Sequence, residues 1–387
     1  MLKEMFLGVL FGTVTGITPA LHVNTMASFL DSLDILSGFS FVLLVYGMGL
    51  THTFLDSIPS ALFGVPDEGT ALSILPAHRL VLKGRALEVV NISLWASFLA
   101  VLFTIPLLPI YPSLAEKYSP NIGRIFVLIL AIFLILTEKG IKRVYALLIF
   151  LLSGYLGVIA ERFPMREPYF HLFVGLFAFP TLLISLRSNL RKLEFDEDGK
   201  IKMKFPNFLF FSFLGSLLGM VASLLPTFTS SQAAIIGSFI SKDERSFLTV
   251  VFSVNTSNFL FSLTNFYFTG RTRNGVMILL RKRHIHLTHA QLNFLLLTSL
   301  AVSLIIMLYG LRLAGVIGKL LQKADYRKLN LGIMLFIIST SYYFDGFIGI
   351  TFLLTAGMIG YLAVRLGVKR TNCMGVLMLK IMLELKT

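Results

Sequence analysis

Hydrophobic residues in this chain gather into long runs instead of alternating with polar ones at the period of a surface helix. The runs occupy 37–50, 90–112, 124–137, 144–160, 169–186, 207–225, 247–268, 291–310, 331–343 and 347–366. A helix needs roughly 20 apolar residues to cross a bilayer. Several runs fall short of that, so the pattern predicts about ten to twelve spans in an all-α polytopic membrane protein. Polar residues take over in one long stretch, Arg187 to Pro206, which contains Glu194-Phe195-Asp196-Glu197-Asp198-Gly199-Lys200. That composition predicts a solvated linker, 187–206, with a turn at Asp198-Gly199. It divides the chain into a first membrane repeat, 1–186, and a second, 207–387.

Both parts carry the same interrupted motif. The first reads Phe6-Leu7-Gly8, Gly12, Pro19, then Asn24-Thr25 and Ala27; the second reads Phe213-Leu214-Gly215, Gly219, Pro226, then Ser231-Gln232 and Ala234. The differences 215 − 8, 219 − 12 and 226 − 19 each give 207. Further on, Phe54 to Thr70 match Phe259 to Gly275 at an offset of 205, and His171…Gly175 resembles Asn372…Gly375. Apolar segments interrupted by Gly or Pro at corresponding places in two halves point to a transporter's substrate site. A helix broken inside the membrane bares N–H groups that can bind an anion, and lipid excludes such backbone unless it lines a protein cavity. Gly12, Gly16, Gly64, Gly69, Gly219, Gly270 and Gly275 are expected as hinges or breaks. The halves are expected to be pseudo-symmetric repeats with broken or re-entrant helices. Basic clusters occupy equivalent loops in both, so charge does not decide the orientation, and inverted topology is expected by analogy with other transporters.

Composition narrows the class. The 387 residues are 56% hydrophobic and only 14% charged, with a mean hydropathy of +0.81, against about 25% charged for a soluble domain. The formal net charge of +14 would suit a nucleic-acid binder. Its cations, however, flank apolar runs at Lys142-Arg143, Arg281-Lys282-Arg283 and Lys369-Arg370, which is how membrane-edge anchors look. No nucleic-acid partner is expected. The single cysteine, Cys373, excludes an intramolecular disulfide or a Cys-rich metal site. Gly8, Gly12, Gly16 and Pro19 make a poor signal-peptide core and belong to the repeat, so the first residues are expected to stay in the mature protein.

Two stretches could carry chemistry. Pro19, His22, Asn24 and Thr25 follow the first break, and Pro226, Ser230, Ser231 and Gln232 follow its counterpart. Amide, hydroxyl and imidazole groups suit an oxyanion, and His22 can titrate near neutral pH. An interfacial loop that simply meets water would contain the same residue types. The second stretch holds His52, Asp56, Asp67 and Glu68 among apolar residues, a costly arrangement unless they face a cavity or a partner. These four are the candidates for ion coupling. The matching region of the second half supplies Arg271 and Arg273, which could pair with Asp67 and Glu68 or bind the anion directly. The alternative is that all four charges sit in water. No zinc-binding His-Glu-x-x-His and no phosphate-binding Gly-x-x-x-x-Gly-Lys-Ser/Thr occurs. Neither an enzyme nor an ATP-driven pump is expected, and no cofactor beyond Na+ or H+ as coupling ion.

Together, Gly12…Pro19-Ala20-Leu21-His22-Val23-Asn24-Thr25, Thr51-His52-Thr53-Phe54…Ile58-Pro59-Ser60 and Gly64-Val65-Pro66-Asp67-Glu68-Gly69-Thr70 resemble the TctA family, also called DUF112. Its members are the large membrane subunits of tripartite tricarboxylate transporters. The tail Arg370-Thr371-Asn372-Cys373-Met374-Gly375-Val376-Leu377 resembles that of the stand-alone archaeal branch. The resemblance implies a multi-pass protein of the cytoplasmic membrane and an ion-coupled secondary transporter of a small organic anion, such as a carboxylate. It also implies work with an extracytoplasmic binding protein and a small membrane subunit; a homodimer is compatible with it. Pro19-Ala20 and the acidic Pro66-Asp67-Glu68 depart from the bacterial pattern, so substrate residues cannot be copied across. The Gly-x-x-x-Gly…Pro break also resembles families that return polyprenyl phosphates across membranes, which makes flipping an anionic lipid the alternative.

Overall fold

The computed structural model describes residues 2–18, 21, 23–33, 36–63, 71–117, 119–186, 199–225, 230–241, 243–322 and 325–383. Among them there are helices and turns and no strand. In the first half, α1 (Leu2–Ile17) ends before the interruption and α2 (Val23–Ser32) begins after it. The next helix, α3 (Gly38–Leu55), is followed by a π-helical turn at Pro59–Phe63. Then come α4 (Ile74–Val81), α5 (Ala86–Leu107), α6 (Tyr111–Lys117), α7 (Pro120–Leu136) and α8 (Lys142–Ala160). A π-helical turn at Val174–Ala178 joins α9 (Pro168–Phe173) to α10 (Phe179–Leu186). The second half runs α11 (Phe205–Leu224), α12 (Ser230–Ile240), α13 (Glu244–Thr269), α14 (Gly275–Lys282), α15 (His289–Gln322), α16 (Tyr326–Arg365) and α17 (Gly375–Leu383).

Seven of the described helices are long and apolar enough to cross a membrane, and Gly123–Leu136 and Pro168–Ile184 are shorter apolar helices. The count is lower than the sequence pattern predicts partly because 331–343 and 347–366 form one element, α16. Its backbone leaves helical values at Asp345 and Gly346 (φ 58°), so the two arms bend without separating.

The spans α3 and α13 form the centre: 83% of the apolar window of each is buried, against 33% for the α15 span. Apolar side chains gain nothing by leaving lipid for a neighbouring helix, so close backbone approach through small residues drives the packing. Gly8 and Gly12 of α1 rest on the Leu44 and Met48 carbonyls of α3, and Gly215 and Gly219 of α11 rest on the Val250 and Val254 carbonyls of α13. Gly12, Gly16 and Gly219, expected as hinges, lie inside continuous helices that end only after Ile17 and Leu224. There they act as contact surfaces. Gly270 (φ 68°) closes α13, Gly275 opens α14, and Gly64 and Gly69 lie outside the described residues.

At their far ends the halves exchange partners: α8 packs on α17, and α16 packs on α9 and α10. The contacts are reciprocal. Gly157 lies on the Val376 carbonyl and Gly360 on that of Leu176; Gly375 lies on the Phe150 carbonyl and Gly175 on that of Leu353. Carboxylates cross the same boundary. Glu138 accepts the Lys369 N–H at 2.8 Å. Asp345 accepts the Glu167 N–H at 3.1 Å and meets His171 Nε2 at 2.7 Å. The end of the linker is anchored by Glu88 of α5, which accepts the Lys202 N–H (2.7 Å) and both Arg245 Nε (2.6 Å) and Nη2 (2.9 Å).

A test of this packing follows. Gly219→Val should destabilise the purified protein by about 1–3 kcal/mol, since the added atoms overpack the α11–α13 contact. Gly315→Ala, where nothing lies within 4 Å, should not lower the thermal midpoint. Equal midpoints for the two variants would contradict the contact role.

Candidate functional site

Although α13 is apolar on average, it carries Asn255, Asn258, Ser262, Asn265 and Thr269, which recur every three or four residues along one face. Polar groups inside a span must be satisfied by protein or line a cavity. Each of the three asparagines reaches a different helix end. Asn255 Nδ2 donates to Asp56 Oδ2 at 2.7 Å, just past the last residue of α3. Asn258 Nδ2 donates to the Ser230 hydroxyl at 3.0 Å, on the first residue of α12. Asn265 Nδ2 donates to the Ser223 carbonyl at 2.7 Å, near the end of α11. With a rise of 1.5 Å per residue, the stripe from Asn255 to Asn265 is about 15 Å long.

The end of α3 is wholly enclosed. His52 and Asp56 lie one turn apart and are only 5% and 3% exposed. His52 Nδ1 meets the Thr15 hydroxyl at 3.1 Å, and Ser60 donates to the Asp56 carbonyl at 2.9 Å. Across the contact with α13, the Thr256 hydroxyl donates to that of Thr53 at 3.2 Å. Two of the ion-coupling candidates, His52 and Asp56, thus sit together at the centre of the molecule. The other two, Asp67 and Glu68, lie outside the described residues.

Around the interruptions, Pro19, His22 and Pro226 are also outside the described residues, as are the side chains of Thr25, Ser231 and Gln232. The backbones of Thr25, Ser231 and Gln232 belong to the first turns of α2 and α12. Asn24, also in the first turn of α2, lies against Gly275 of the other half so closely that a Cβ there would strike its amide. Ser230 is buried against Asn258.

The two arginines occupy the opposite end of the stripe. Arg273 donates from its guanidinium to the carbonyl of Leu224, the last residue of α11. With Asn265 on the preceding carbonyl, and Tyr111 hydrogen-bonded to the Ser223 hydroxyl at 2.8 Å, it closes a helix end whose dipole favours a cation. The Arg271 N–H donates to the Thr269 hydroxyl at 3.3 Å. The expected partnership of these arginines with Asp67 and Glu68 involves residues outside the described ones.

Sequence reading missed Asn255, Thr256, Asn258, Asn265 and Tyr111. A signal was present: asparagines three and seven residues apart inside the apolar run 247–268 put amides on one helix face. Among the described residues no group of three or more His, Cys, Asp or Glu converges. The Asp56 carboxylate, which accepts from the Asn255 amide, is of the oxygen-ligand type that suits a hard cation or a proton.

The sequence model described as the tripartite tricarboxylate transporter TctA family matches residues 2–375. The chain belongs to the TctA family. This is a family of transporter components, and its members are the large membrane subunits of tripartite systems. With seven apolar helices long enough to span among its described residues, this TctA-family chain is an integral multi-pass membrane protein. An uncharacterised protein of Methanocaldococcus jannaschii is 30% identical over 97% of this chain and 96% of its own length. No solved structure matches.

The capping role of Arg273 can be measured. Arg273→Met should lower the thermal midpoint of the purified protein, because leaving a partly buried carbonyl without its donor costs up to about 1–3 kcal/mol. Arg271→Met should lower it less. A midpoint unchanged in R273M would leave the helix end closed by Asn265 and Tyr111 alone.

Proposed function

We propose that this TctA-family chain is an ion-coupled secondary transporter of a small organic anion, a carboxylate, bound between the two helix interruptions. The observation that carries the reading is the pair of bonds on adjacent turns of α13, Asn255 to Asp56 and Asn258 to Ser230. They tie a buried carboxylate to the N-terminal end of a helix that starts after a break. In this reading the anion meets the first-turn N–H groups of α2 and α12. Side chains of His22, Asn24, Thr25, Ser230, Ser231 and Gln232 surround it, and Na+ or H+ neutralises Asp56. Coupling then follows from charge. Like charges about 8 Å apart, at an effective dielectric of 20, repel by about 2 kcal/mol. A cation on Asp56 would therefore raise anion affinity by about thirtyfold, and the anion would raise cation affinity equally.

The two halves, 1–186 and 207–387, act in this proposal as inverted repeats. The two-fold relation is supported by the reciprocal contacts of Gly157 with Val376 and Gly360 with Leu176; inverted orientation rests on analogy with other transporters. An extracytoplasmic binding protein and a small membrane subunit would deliver the substrate, as the family's tripartite description suggests.

Uptake of labelled citrate and smaller carboxylates into proteoliposomes, under imposed Na+ or pH gradients, tests the reading. Uptake should follow one gradient, Asp56→Asn should abolish that dependence, and Asn24→Ala and Gln232→Ala should weaken uptake without reducing expression. Gradient-driven uptake that survives intact in D56N would remove Asp56 from coupling. Movement of a labelled polyprenyl phosphate without any carboxylate uptake would replace the substrate assignment.

A further inference from the structure

The loop after α14 places a histidine where the fold elsewhere uses glycine. At the end of α4, Gly84 N–H bonds to the Val81 carbonyl and Arg85 N–H to that of Leu80, both at 2.9 Å. At the end of α14, His284 N–H bonds to the Arg281 carbonyl and Ile285 N–H to that of Leu280, both at 3.0 Å. This is one and the same helix closure, and it needs a left-handed residue at its apex. Gly84 takes that conformation at φ 75° and His284 at φ 52°, and Gly367 takes it after α16 at φ 64°. Among the described residues, His284 is the only one other than glycine with positive φ. A side chain makes the left-handed region unfavourable, and residues held there cluster at ligand sites.

The surroundings of His284 fit a ligand. His284 and His286 form the shared wall of two adjoining cavities, each of about 550 Å³. Arg281, Tyr267 and Thr269 border one of them, and Ser37 and Gln291 border the other. Among the described residues, no carboxylate lines either cavity. The nearby Asp31 is engaged by Arg283 and by Lys282 at 3.3 Å. Basic residues beside a span also orient it in the membrane. That role requires charge alone and accounts for Arg281-Lys282-Arg283, but not for an imidazole on a left-handed backbone.

We propose that Arg281, His284 and His286 form an oxyanion-binding site, distinct from the helix interruptions, for a phosphate group carried by a free anion or by a lipid headgroup. Guanidinium and imidazole N–H groups are the donors such a group needs.

The test uses the full chain. Inorganic phosphate is titrated against protein in a neutral detergent, and retention of an anionic phospholipid from mixed nanodiscs is read by native mass spectrometry. His284→Gly relieves the backbone, so its thermal midpoint should equal or exceed that of wild type. Its phosphate affinity or lipid retention should fall about tenfold or more. The arm that shows the loss identifies the source of the phosphate. The Arg281→Gln/His286→Gln double variant leaves the left-handed residue in place and should show the same loss even if H284G folds poorly. Wild-type binding in both variants, or no binding of either probe by the wild type, would overturn the site.

Discussion

A helix that stops within an apolar slab leaves up to four N–H and four C=O groups that water cannot reach. The rest of this structure depends on how those groups are met. Among the described residues, Asn265 of α13 meets such a group directly, the Ser223 carbonyl near the end of α11, while Asn255 and Asn258 hold side chains at two other helix ends, the Asp56 carboxylate after α3 and the Ser230 hydroxyl at the start of α12. Arg273 caps the Leu224 carbonyl at the end of α11, and Tyr111 bonds the Ser223 hydroxyl beside it. Because these amides are spaced along one helix, their bonds tie the three ends to α13.

Packing supplies the proximity that these bonds need. An amide side chain is short, so the helix carrying it must come close to its neighbours. The glycines at 8, 12, 215 and 219 let α1 and α11 settle directly on the carbonyls of α3 and α13. The aromatic stacking of Tyr46 on Phe259, with centroids 5.5 Å apart, ties α3 and α13 to each other. At the far ends, exchange of α17 and α9–α10 between the halves makes each half incomplete alone. Glu138 and Asp345 reinforce that exchange by accepting hydrogen bonds from the opposite half. The outcome is a fixed frame around a polar centre, the arrangement required if a charged solute is to be held in a medium that otherwise rejects it.

Charge is distributed to match. The buried carboxylate of Asp56 lies beside oxygens and amides, while the beginnings of α2 and α12 offer backbone N–H groups. Cations gather at helix C-terminal ends, with Arg273 at α11 and Arg281 and Lys282 in the last turn of α14, where the dipole favours them. The Glu88–Arg245 pair is a different device. Its carboxylate is fully buried and also holds the linker backbone at Lys202, so it joins the two halves where the chain passes between them.

The sequence by itself determined the local features: apolar runs long enough to be membrane helices, interruptions at matching places, small residues ahead of each break, and the family likeness. Helix formation depends on residues three or four apart, so a linear pattern contains it. Only the tertiary structure decided what those features do. That Gly12 and Gly219 are contact surfaces follows from which carbonyls lie opposite them. That Asp56 finds Asn255, and Arg273 finds Leu224, depends on residues 199 and 49 positions apart in the chain. The asparagine spacing was visible in the run 247–268, but amides on one face of a helix do not name their partners. Those partners exist only once close backbone approach has excluded lipid and water, leaving each buried polar group to be satisfied by whichever helix end the packing has brought within reach.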